Sequence, residues 1–423
     1  MKRKSLDFDW LIFVLYGALV VWGWATIYAV SSATGDVSPL ALGEIHGRQL
    51  VWMGVSLAVG ILLLSLDHRF LEATSYVVYG AAMAMLILTL VVGKEVNGAK
   101  SWLMIAGQPF QPSEFAKVAT AMALARYMSR LGFLMSKLPD LLGAAAIVLL
   151  PALIVILQND TGSALVFGSL LVVFYREGLH PFIPIFLIFS GLVVVLTLWL
   201  ETPLWISLAL LVMAGLSFWM LFNRRHWLRI LTLHLVALAF FSGLSFSVGW
   251  LVTKLQPHQQ IRLKILFDPM LDPQGAGYNV IQSKIAIGSG GLSGKGYLDG
   301  NYTKYKFVPK QETDFIYCTV GEELGWLGSS LLLVLFFALI WRVQFLAETA
   351  KTRYARIYGS SIMAILFFHV LVNVGMTIGL VPVIGIPLPF FSYGGSSLLA
   401  FTVMIFILIN LYSYRGTILG TKA

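Results

Sequence analysis

Long, uninterrupted apolar runs constrain this chain more than any other feature of its sequence. The first begins at Trp10 and continues to about Ser32, and similar runs recur along the 423 residues. A run of about 18 to 22 apolar residues can cross a bilayer as a helix. Only 12% of the residues are charged, about half the usual share in a soluble domain. The sequence therefore predicts a polytopic membrane protein and excludes a soluble enzyme.

Charges, Pro/Gly clusters and polar loops divide these runs into twelve predicted spans. We expect an all-α fold that forms a single membrane domain over residues 1–423. The fourth segment is polar at its start and the sixth is short, so these two depart most from an ideal span. The segments are residues 10–32, 49–66, 75–93, 113–130, 140–157, 162–175, 182–200, 204–222, 229–250, 316–341, 358–380 and 398–414.

The positions of Lys and Arg predict the orientation of the chain. With a cytoplasmic N-terminus, 17 of the 29 Lys and Arg residues fall in cytoplasmic segments, and three fall in short outer loops. This distribution obeys the positive-inside rule. Twelve spans also return the C-terminus to the cytoplasm. The first apolar run lacks a small-residue cleavage site, so we interpret it as a retained span rather than a signal peptide.

Residues 251–315 form a long outer loop that carries eight basic residues and five acids. A basic loop beside a membrane suits an anionic partner such as a lipid phosphate or pyrophosphate, and a solvated loop with incidental charge is the alternative. Tyr278, Ile281 and Ile285 recur at helical spacing and predict a short amphipathic helix. The glycine-rich stretch at residues 288–296 looks like a phosphate-binding loop but fails the Walker A spacing.

Polar residues within the predicted spans are costly and by default face the bundle interior or a cavity. Glu114 and Lys117 lie three residues apart, just after Ser113, the expected N-cap. They form either a structural ion pair or the polar wall of a headgroup cavity that opens outward. His369 and Asn373, four residues apart, could be functional, but a hydrogen bond between helices is the simpler interpretation.

Two outer segments have sequences that favour turns. Asp160 precedes Thr-Gly, for which a turn or a helix cap is the simplest role. Residues 381–399 contain three prolines that interrupt any helix, so we expect a broken or re-entrant segment shielded by protein. The seven histidines show no metal-binding spacing, and the single cysteine, Cys318, excludes a disulfide framework.

Four groups of residues carry a recognisable pattern. In order along the chain they are NGAKSWL with QPSEFAK (residues 97–103 and 111–117), DPMLDPQGAGYNVIQSKIAIGSGGLSGKGY (268–297), FVPKQETDFIYCTVGEELGWLG (307–328) and PLPFFSYGGSSLL (387–399). Together, and in this order, they closely resemble the SEDS family of bacterial peptidoglycan glycosyltransferases, which act in shape, elongation, division and sporulation. Within this family, QSKIAIGSGGLSGKG is more similar to the RodA branch of side-wall elongation than to the division branch, FtsW.

The resemblance implies a polymerase of lipid II in the bacterial cytoplasmic (inner) membrane, with an outward-facing active site. A glycan strand on undecaprenyl pyrophosphate is transferred onto the 4-hydroxyl of the N-acetylglucosamine of an incoming lipid II. The essential acid of the family maps onto Asp272 as general base. The residues alone do not show whether Asp272 or Asp268 is the essential acid, since both precede proline in the same loop.

Further site residues follow from the resemblance together with the charge pattern. Arg48, Lys117 and Lys284 are candidates to stabilise the departing pyrophosphate, where a divalent cation (Mg²⁺ or Mn²⁺) could also act. Glu322 and the adjacent Glu323 could equally be helix-entry capping residues. The candidate substrate-binding residues are Arg48, Trp102, Glu114, Lys117, Asp160, Gln282, Ser283, Lys284, Glu322, Ser392 and Ser396.

The chain departs from the family pattern at two places. PKQETDFI (residues 309–316) stands where PExHTDFI is usual, so Lys310 and Glu312 replace an acid and a histidine. Family members commonly have ten spans, so an extra helix pair is expected at about residues 182–222, as a partner surface or as inert padding.

The resemblance also implies partners. We expect lipid II, a class B penicillin-binding protein that supplies transpeptidase activity, and other membrane proteins of the elongation complex, and no nucleic acid. Two alternative functions remain, a lipid II flippase that uses the Glu114 and Lys117 pair and a non-catalytic cell-wall scaffold. The flippase would not need an acid in an outer loop, and the chain lacks obvious paired half-repeats.

Overall fold

The apolar runs fold into long helices. The computed structural model describes residues 9–32, 38–96, 98–105, 107–200, 202–221, 226–254, 260, 265, 269–271 and 277–413. The helices up to the long loop are α1 (Trp10–Ser31), α2 (Ile45–Ser65), α3 (His68–Val92), α4 (Pro112–Met128), α5 (Leu138–Leu157), α6 (Thr161–Gly168), α7 (Leu171–Arg176), α8 (Phe182–Leu200), α9 (Pro203–Leu221) and α10 (Trp227–Lys254). After them come a 3-10 turn (Pro269–Leu271), α11 (Tyr278–Ser289), α12 (Asn301–Lys304), α13 (Ile316–Thr349), α14 (Arg353–Thr377) and α15 (Gly395–Ser413).

Ten of these helices are long and apolar enough to cross a membrane. The chain is therefore a nearly all-helical, multi-pass membrane protein. The fourth and sixth predicted segments are the shorter exceptions, because α4 has 17 residues and the apolar stretch Thr161–Arg176 is divided between α6 and α7. The short helix predicted around Tyr278, Ile281 and Ile285 is present as α11.

The helices form two compact units, Met1–Leu179 with Gln282–Ala423, and His180–Ile281. In the second unit, α8 and α9 occupy the predicted pair at residues 182–222, and they pack with α10. Val193, Ile206, Leu210 and Phe241 form its small core. That α8 and α9 are additions to the family fold stays a prediction.

In the first unit, α4, α14 and α15 lie at the centre. The most apolar stretches of α14 and α15 are 72% and 78% buried, whereas those of the other spans in the chain are at most 39% buried. α4 packs against both α3 and α14, and α15 packs against α2. Polar side chains on α4 and α14 therefore face protein rather than lipid.

At some helix starts, a side chain accepts a hydrogen bond from one of the free backbone N–H groups. Asp9 accepts from the Ile12 N–H at 2.9 Å at the start of α1, and Thr352 caps α14. The prediction that Ser113 caps α4 is wrong. The helix begins at Pro112, with Gln111 in the capping position, because proline favours the first helical position.

A small antiparallel sheet between α3 and α4 was not predicted. It comprises β1 (Lys94–Val96), β2 (Ala99–Ile105) and β3 (Gln108–Phe110), in the order β1, β2, β3. Gly98 and Gly107 adopt positive φ values of 84° and 79° in the two connections. Asn-Gly at residues 97–98 is a strong hairpin sequence, and it was the available indication of this sheet.

The glycine-rich stretch after α11 packs against a break in α13. Gly325 has φ 63° and ψ −158° inside this helix. The two N–H groups after the break donate to the carbonyls of Gly291 and Leu292 at 2.9 and 3.1 Å. Two carbonyls before the break accept from the N–H groups of Lys295 and Gly296 at 3.1 and 3.0 Å. The loop therefore replaces hydrogen bonds that α13 cannot make with itself.

This packing explains why glycines recur there. A Cβ on Gly290 would lie 2.0 Å from the Gly321 carbonyl oxygen, and one on Gly294 would lie 2.0 Å from that of Glu323. Only glycine allows backbone segments to approach so closely.

Candidate functional site

A buried ion pair on α4 lies at the centre of the first unit. Lys117 Nζ donates to Glu114 Oε1 at 2.8 Å, and both side chains are 1% exposed. The spacing of three residues places them on one helix face, as predicted. The second carboxylate oxygen, Glu114 Oε2, is buried and has no hydrogen-bond partner. A buried acceptor without a donor is costly, so this oxygen has an unused capacity to accept a hydrogen bond.

His369 of α14 is the third member of this cluster. Lys117 Nζ lies 2.9 Å from His369 Nε2, and His369 Nδ1 lies 3.1 Å from the Pro387 carbonyl oxygen. An ammonium group can only donate, so Nε2 accepts and Nδ1 carries the hydrogen. The imidazole ring also meets the ring of Phe401 edge-on at 4.9 Å. The predicted hydrogen bond between helices is thus present, with its donor on α4 and its acceptor on α14.

The hydrogen bonds continue from His369 into the Pro/Gly-rich segment. The peptide that carries the Pro387 carbonyl also carries the Leu388 N–H, which donates to Ser392 Oγ at 2.9 Å. Ser392 Oγ donates in turn to the Thr313 carbonyl oxygen at 2.5 Å. An unbroken chain of donors and acceptors therefore runs from the Lys117 ammonium group to the residues that precede α13.

Residues 381–394, here called the PG segment, contain no helix or strand and are held by protein on several sides. Asn373 Nδ2 donates to the carbonyls of Asp314 and Ile386 at 2.9 and 2.8 Å. Phe390 is buried and has φ 65°, a strained value for an aromatic residue. The predicted broken structure is confirmed, and its conformation is fixed by contacts with the surrounding helices.

Gly23 of α1 provides one of these contacts. A Cβ at Gly23 would lie 2.6 Å from Phe391 Cα, whereas a Cβ at Gly17 on the same helix would meet nothing within 4 Å. The absence of a side chain at Gly23 thus lets α1 approach the PG segment.

We expect Gly23→Ala to destabilise the detergent-solubilised protein by about 1 to 3 kcal/mol, because the PG segment must move to admit the methyl group. Gly17→Ala is the matched control, and should leave stability unchanged or slightly raised through its better helix propensity. Thermal unfolding of both variants checks this. Equal melting temperatures for the two would show that the PG segment tolerates displacement.

Arg48 lies near Tyr393 at the C-terminal end of the PG segment. The Arg48 guanidinium donates to the Gly43 carbonyl oxygen at 2.8 Å. Burial raises the pKa of Tyr393, and Arg48 opposes this shift. Nearby, burial raises the pKa of the Asp314 carboxyl, and Lys310 opposes that shift. Arg48 is exposed, so its cationic group lies at the surface next to the segment.

Asp160 has the capping role that its sequence context indicates. Its Oδ1 accepts from the Ser163 N–H at 3.0 Å at the start of α6. Its Oδ2 accepts from Ser163 Oγ at 2.8 Å and from Gln111 Nε2 at 3.0 Å. Since Gln111 immediately precedes α4, Asp160 joins the start of α6 to the helix that carries Glu114.

Glu322 binds the loop before α13. Its carboxylate is fully buried and accepts from Lys295 Nζ, the Tyr302 N–H, and both the N–H and Oγ1 of Thr303, at 2.8 to 2.9 Å. Two of these donors are backbone N–H groups of α12, so Glu322 caps this short helix. Its role in substrate binding stays a prediction. Glu323 Oε1, by contrast, is buried without a hydrogen-bond partner.

The remaining candidates lie on α11, β2 and α15. Ser283 on α11 donates to the Thr377 carbonyl at 2.9 Å, while Gln282 is half-buried and Lys284 is exposed. Trp102 is half-buried on β2, and Ser396 is buried in the first turn of α15.

Asp272 lies outside the described residues, and so does Asp268. Within the part of the chain that the structure describes, no three His, Cys, Asp or Glu residues are grouped so that they could hold a metal ion. The sequence analysis missed His369 as a partner of Lys117 and missed the contact between Ser392 and Thr313.

The sequence matches a known family along nearly its whole length. The family profile described as Cell cycle protein, named for FtsW, RodA and SpoVE, matches residues 8–206 and 202–416. Peptidoglycan glycosyltransferase MrdB of Escherichia coli K12 is 31% identical, with 96% of this chain and 92% of that protein covered. Peptidoglycan glycosyltransferase RodA of Treponema pallidum is 34% identical, with 94% and 95% covered.

Solved structures show the same fold. A chain from a structure titled "Structural coordination of polymerization and crosslinking by a peptidoglycan synthase complex" has a TM-score of 0.71 at 28% identity, with 97% of this chain and 99% of that chain covered. The rod shape determining protein RodA of Thermus thermophilus has a TM-score of 0.62 at 26% identity, with 97% and 98% covered.

Proposed function

Since the chain belongs to the Cell cycle protein family of FtsW, RodA and SpoVE, we propose that it is a peptidoglycan glycosyltransferase that polymerises lipid II during cell elongation. The two relatives described above are named peptidoglycan glycosyltransferases. The observation in the molecule itself that best supports an enzyme site is the buried Glu114 and Lys117 pair with its unpartnered carboxylate oxygen.

In the proposed reaction, Asp272 accepts the proton of the 4-hydroxyl of the acceptor sugar. The hydroxyl oxygen attacks the anomeric carbon at the reducing end of the donor strand, and the bond from this carbon to undecaprenyl pyrophosphate breaks with inversion. A carboxylate can act as this base when it lies within hydrogen-bond reach of the hydroxyl. Cationic groups must offset the charge that develops on the pyrophosphate.

We assign the described candidates to binding. Arg48 places an exposed guanidinium next to the PG segment, and guanidinium groups can hydrogen-bond a phosphate through two N–H groups. Glu114 Oε2 would accept a hydrogen bond from a sugar hydroxyl or an acetamido N–H group. Trp102, Gln282, Ser283, Lys284, Ser392 and Ser396 are retained as proposed contacts, and a divalent cation at the pyrophosphate stays a prediction.

The proposed setting is the bacterial inner membrane, with both termini cytoplasmic and the active site facing outward. The distribution of Lys and Arg supports this orientation. A class B penicillin-binding protein and other elongation-complex proteins are the proposed partners. The solved synthase complex, whose title joins polymerisation to crosslinking, supports the first of them.

The test uses the purified full chain in detergent with lipid II and its cognate class B penicillin-binding protein. We expect glycan strands that are resolved by gel electrophoresis. A transpeptidase-inactive form of the partner keeps the products uncrosslinked. Translocation of lipid II across liposome membranes without polymerisation would instead identify a flippase. A protein that shows neither polymerisation nor translocation would support the scaffold function.

A further inference from the structure

His369 takes no part in the proposed reaction, but its hydrogen bonds indicate a function for it. Its side chain is fully buried on α14. It accepts from Lys117 Nζ at 2.9 Å and donates to the Pro387 carbonyl at 3.1 Å. The imidazole ring is thus fixed at both nitrogens, between the α4 ion pair and the PG segment.

We propose that His369 is a positioning residue that orients the Lys117 ammonium group and, with it, the free oxygen of Glu114. This proposal rests on the proposed glycosyltransferase function and adds a residue to its binding site. A lysine side chain has four rotatable carbon bonds and does not fix its own ammonium group. Two acceptors on different helices, Glu114 Oε1 and His369 Nε2, fix it here.

The same chain of hydrogen bonds reaches the end of the long loop. The Pro387–Leu388 peptide accepts from His369 through its carbonyl and donates to Ser392 through its N–H. Ser392 then donates to the Thr313 carbonyl. Every donor in this series points the same way, so the bonds polarise one another. A displacement of the segment before α13 would therefore alter the hydrogen bond between His369 and Lys117.

Two substitutions separate the hydrogen bonds of His369 from its packing. His369→Phe keeps an aromatic ring against Phe401 and removes both hydrogen bonds. His369→Gln loses the ring but retains one acceptor and one donor. If His369 only packs against Phe401, the Phe variant should keep more activity than the Gln variant. If His369 positions Lys117, the Gln variant should keep more activity. We expect polymerase kcat to fall about tenfold or more in His369→Phe and to remain within about threefold of wild type in His369→Gln.

His234 on α10 offers a matched control. It is also a histidine within an apolar helix, with Nε2 2.6 Å from Ser217 Oγ and Nδ1 2.8 Å from the Ile230 carbonyl. His234→Phe removes the same kinds of hydrogen bond from a histidine that belongs to the other compact unit. We expect it to leave kcat unchanged. An equal loss in both Phe variants would overturn the proposal, because it would reflect only the loss of a histidine with two hydrogen bonds inside an apolar helix.

A double-mutant cycle tests whether His369 acts through Lys117. Equilibrium binding of fluorescent lipid II is measured for His369→Phe, Lys117→Met and the double variant. We expect the double variant to bind no more weakly than Lys117→Met alone. Independent, additive losses would show that His369 acts by another route. This cycle needs no turnover, so it separates failure of the positioning role from failure of the wild-type chain to polymerise.

Discussion

Asp272→Ala is expected to abolish glycan polymerisation while the protein still folds and binds lipid II. Without a base to take the proton of the acceptor hydroxyl, the transfer loses general base catalysis, which alone contributes about 100-fold to 10,000-fold. Misplacement of the acceptor adds to this loss. The measurement is strand formation from lipid II by the purified variant, with thermal unfolding as the check on folding.

Asp268→Ala is the matched control for that experiment, because both acids precede proline in the same loop. We expect this variant to retain polymerase activity. If Asp268→Ala is inactive and Asp272→Ala is active, the base has been assigned to the wrong aspartate. If both remain fully active, the loop does not supply the base.

Lys117→Met is expected to have the next largest effect, on both stability and activity. It leaves Glu114, which is 1% exposed, as an unpaired acid in the bundle interior. Breaking a buried pair by removing one partner costs about 3 to 5 kcal/mol. We expect a lower melting temperature in detergent, and polymerase activity reduced by about 100-fold or more, because the proposed substrate contact of Lys117 and the positioning of Glu114 are lost together.

The double variant Glu114→Gln with Lys117→Met separates these two effects. It removes both charges, so we expect it to unfold at a higher temperature than Lys117→Met alone. Activity should nevertheless stay low in the double variant. A double variant that polymerises lipid II at the wild-type rate would reduce the pair to a structural element.

The spans and the α4 pair could be predicted because each depends on residues close together in the chain. Apolar runs predict helices in a bilayer, and a spacing of three residues predicts the Glu114 and Lys117 contact. The first residue of α4 was harder to predict. Ser113 looked like an N-cap, but Pro112 takes the first helical position.

Contacts between distant residues could not be predicted in this way. His369 and Lys117 are 252 positions apart, and nothing in either local sequence identifies the other. The same holds for Ser392 and Thr313, which meet only because the PG segment lies against the end of the long loop. The sheet at residues 94–110, in contrast, could have been predicted from the local sequence, because Asn-Gly at 97–98 is typical of a hairpin turn.

The break in α13 at Gly325 has a consequence for the synthesis of this protein. The two N–H groups after the break depend on the carbonyls of Gly291 and Leu292, which the ribosome adds to the chain before α13. The acceptors thus exist before the donors that need them enter the membrane, where an unpaired N–H group is costly. A circular permutant that begins at α13 would reverse this order and insert the helix with these two N–H groups unpaired, so the position of the loop before α13 favours correct assembly.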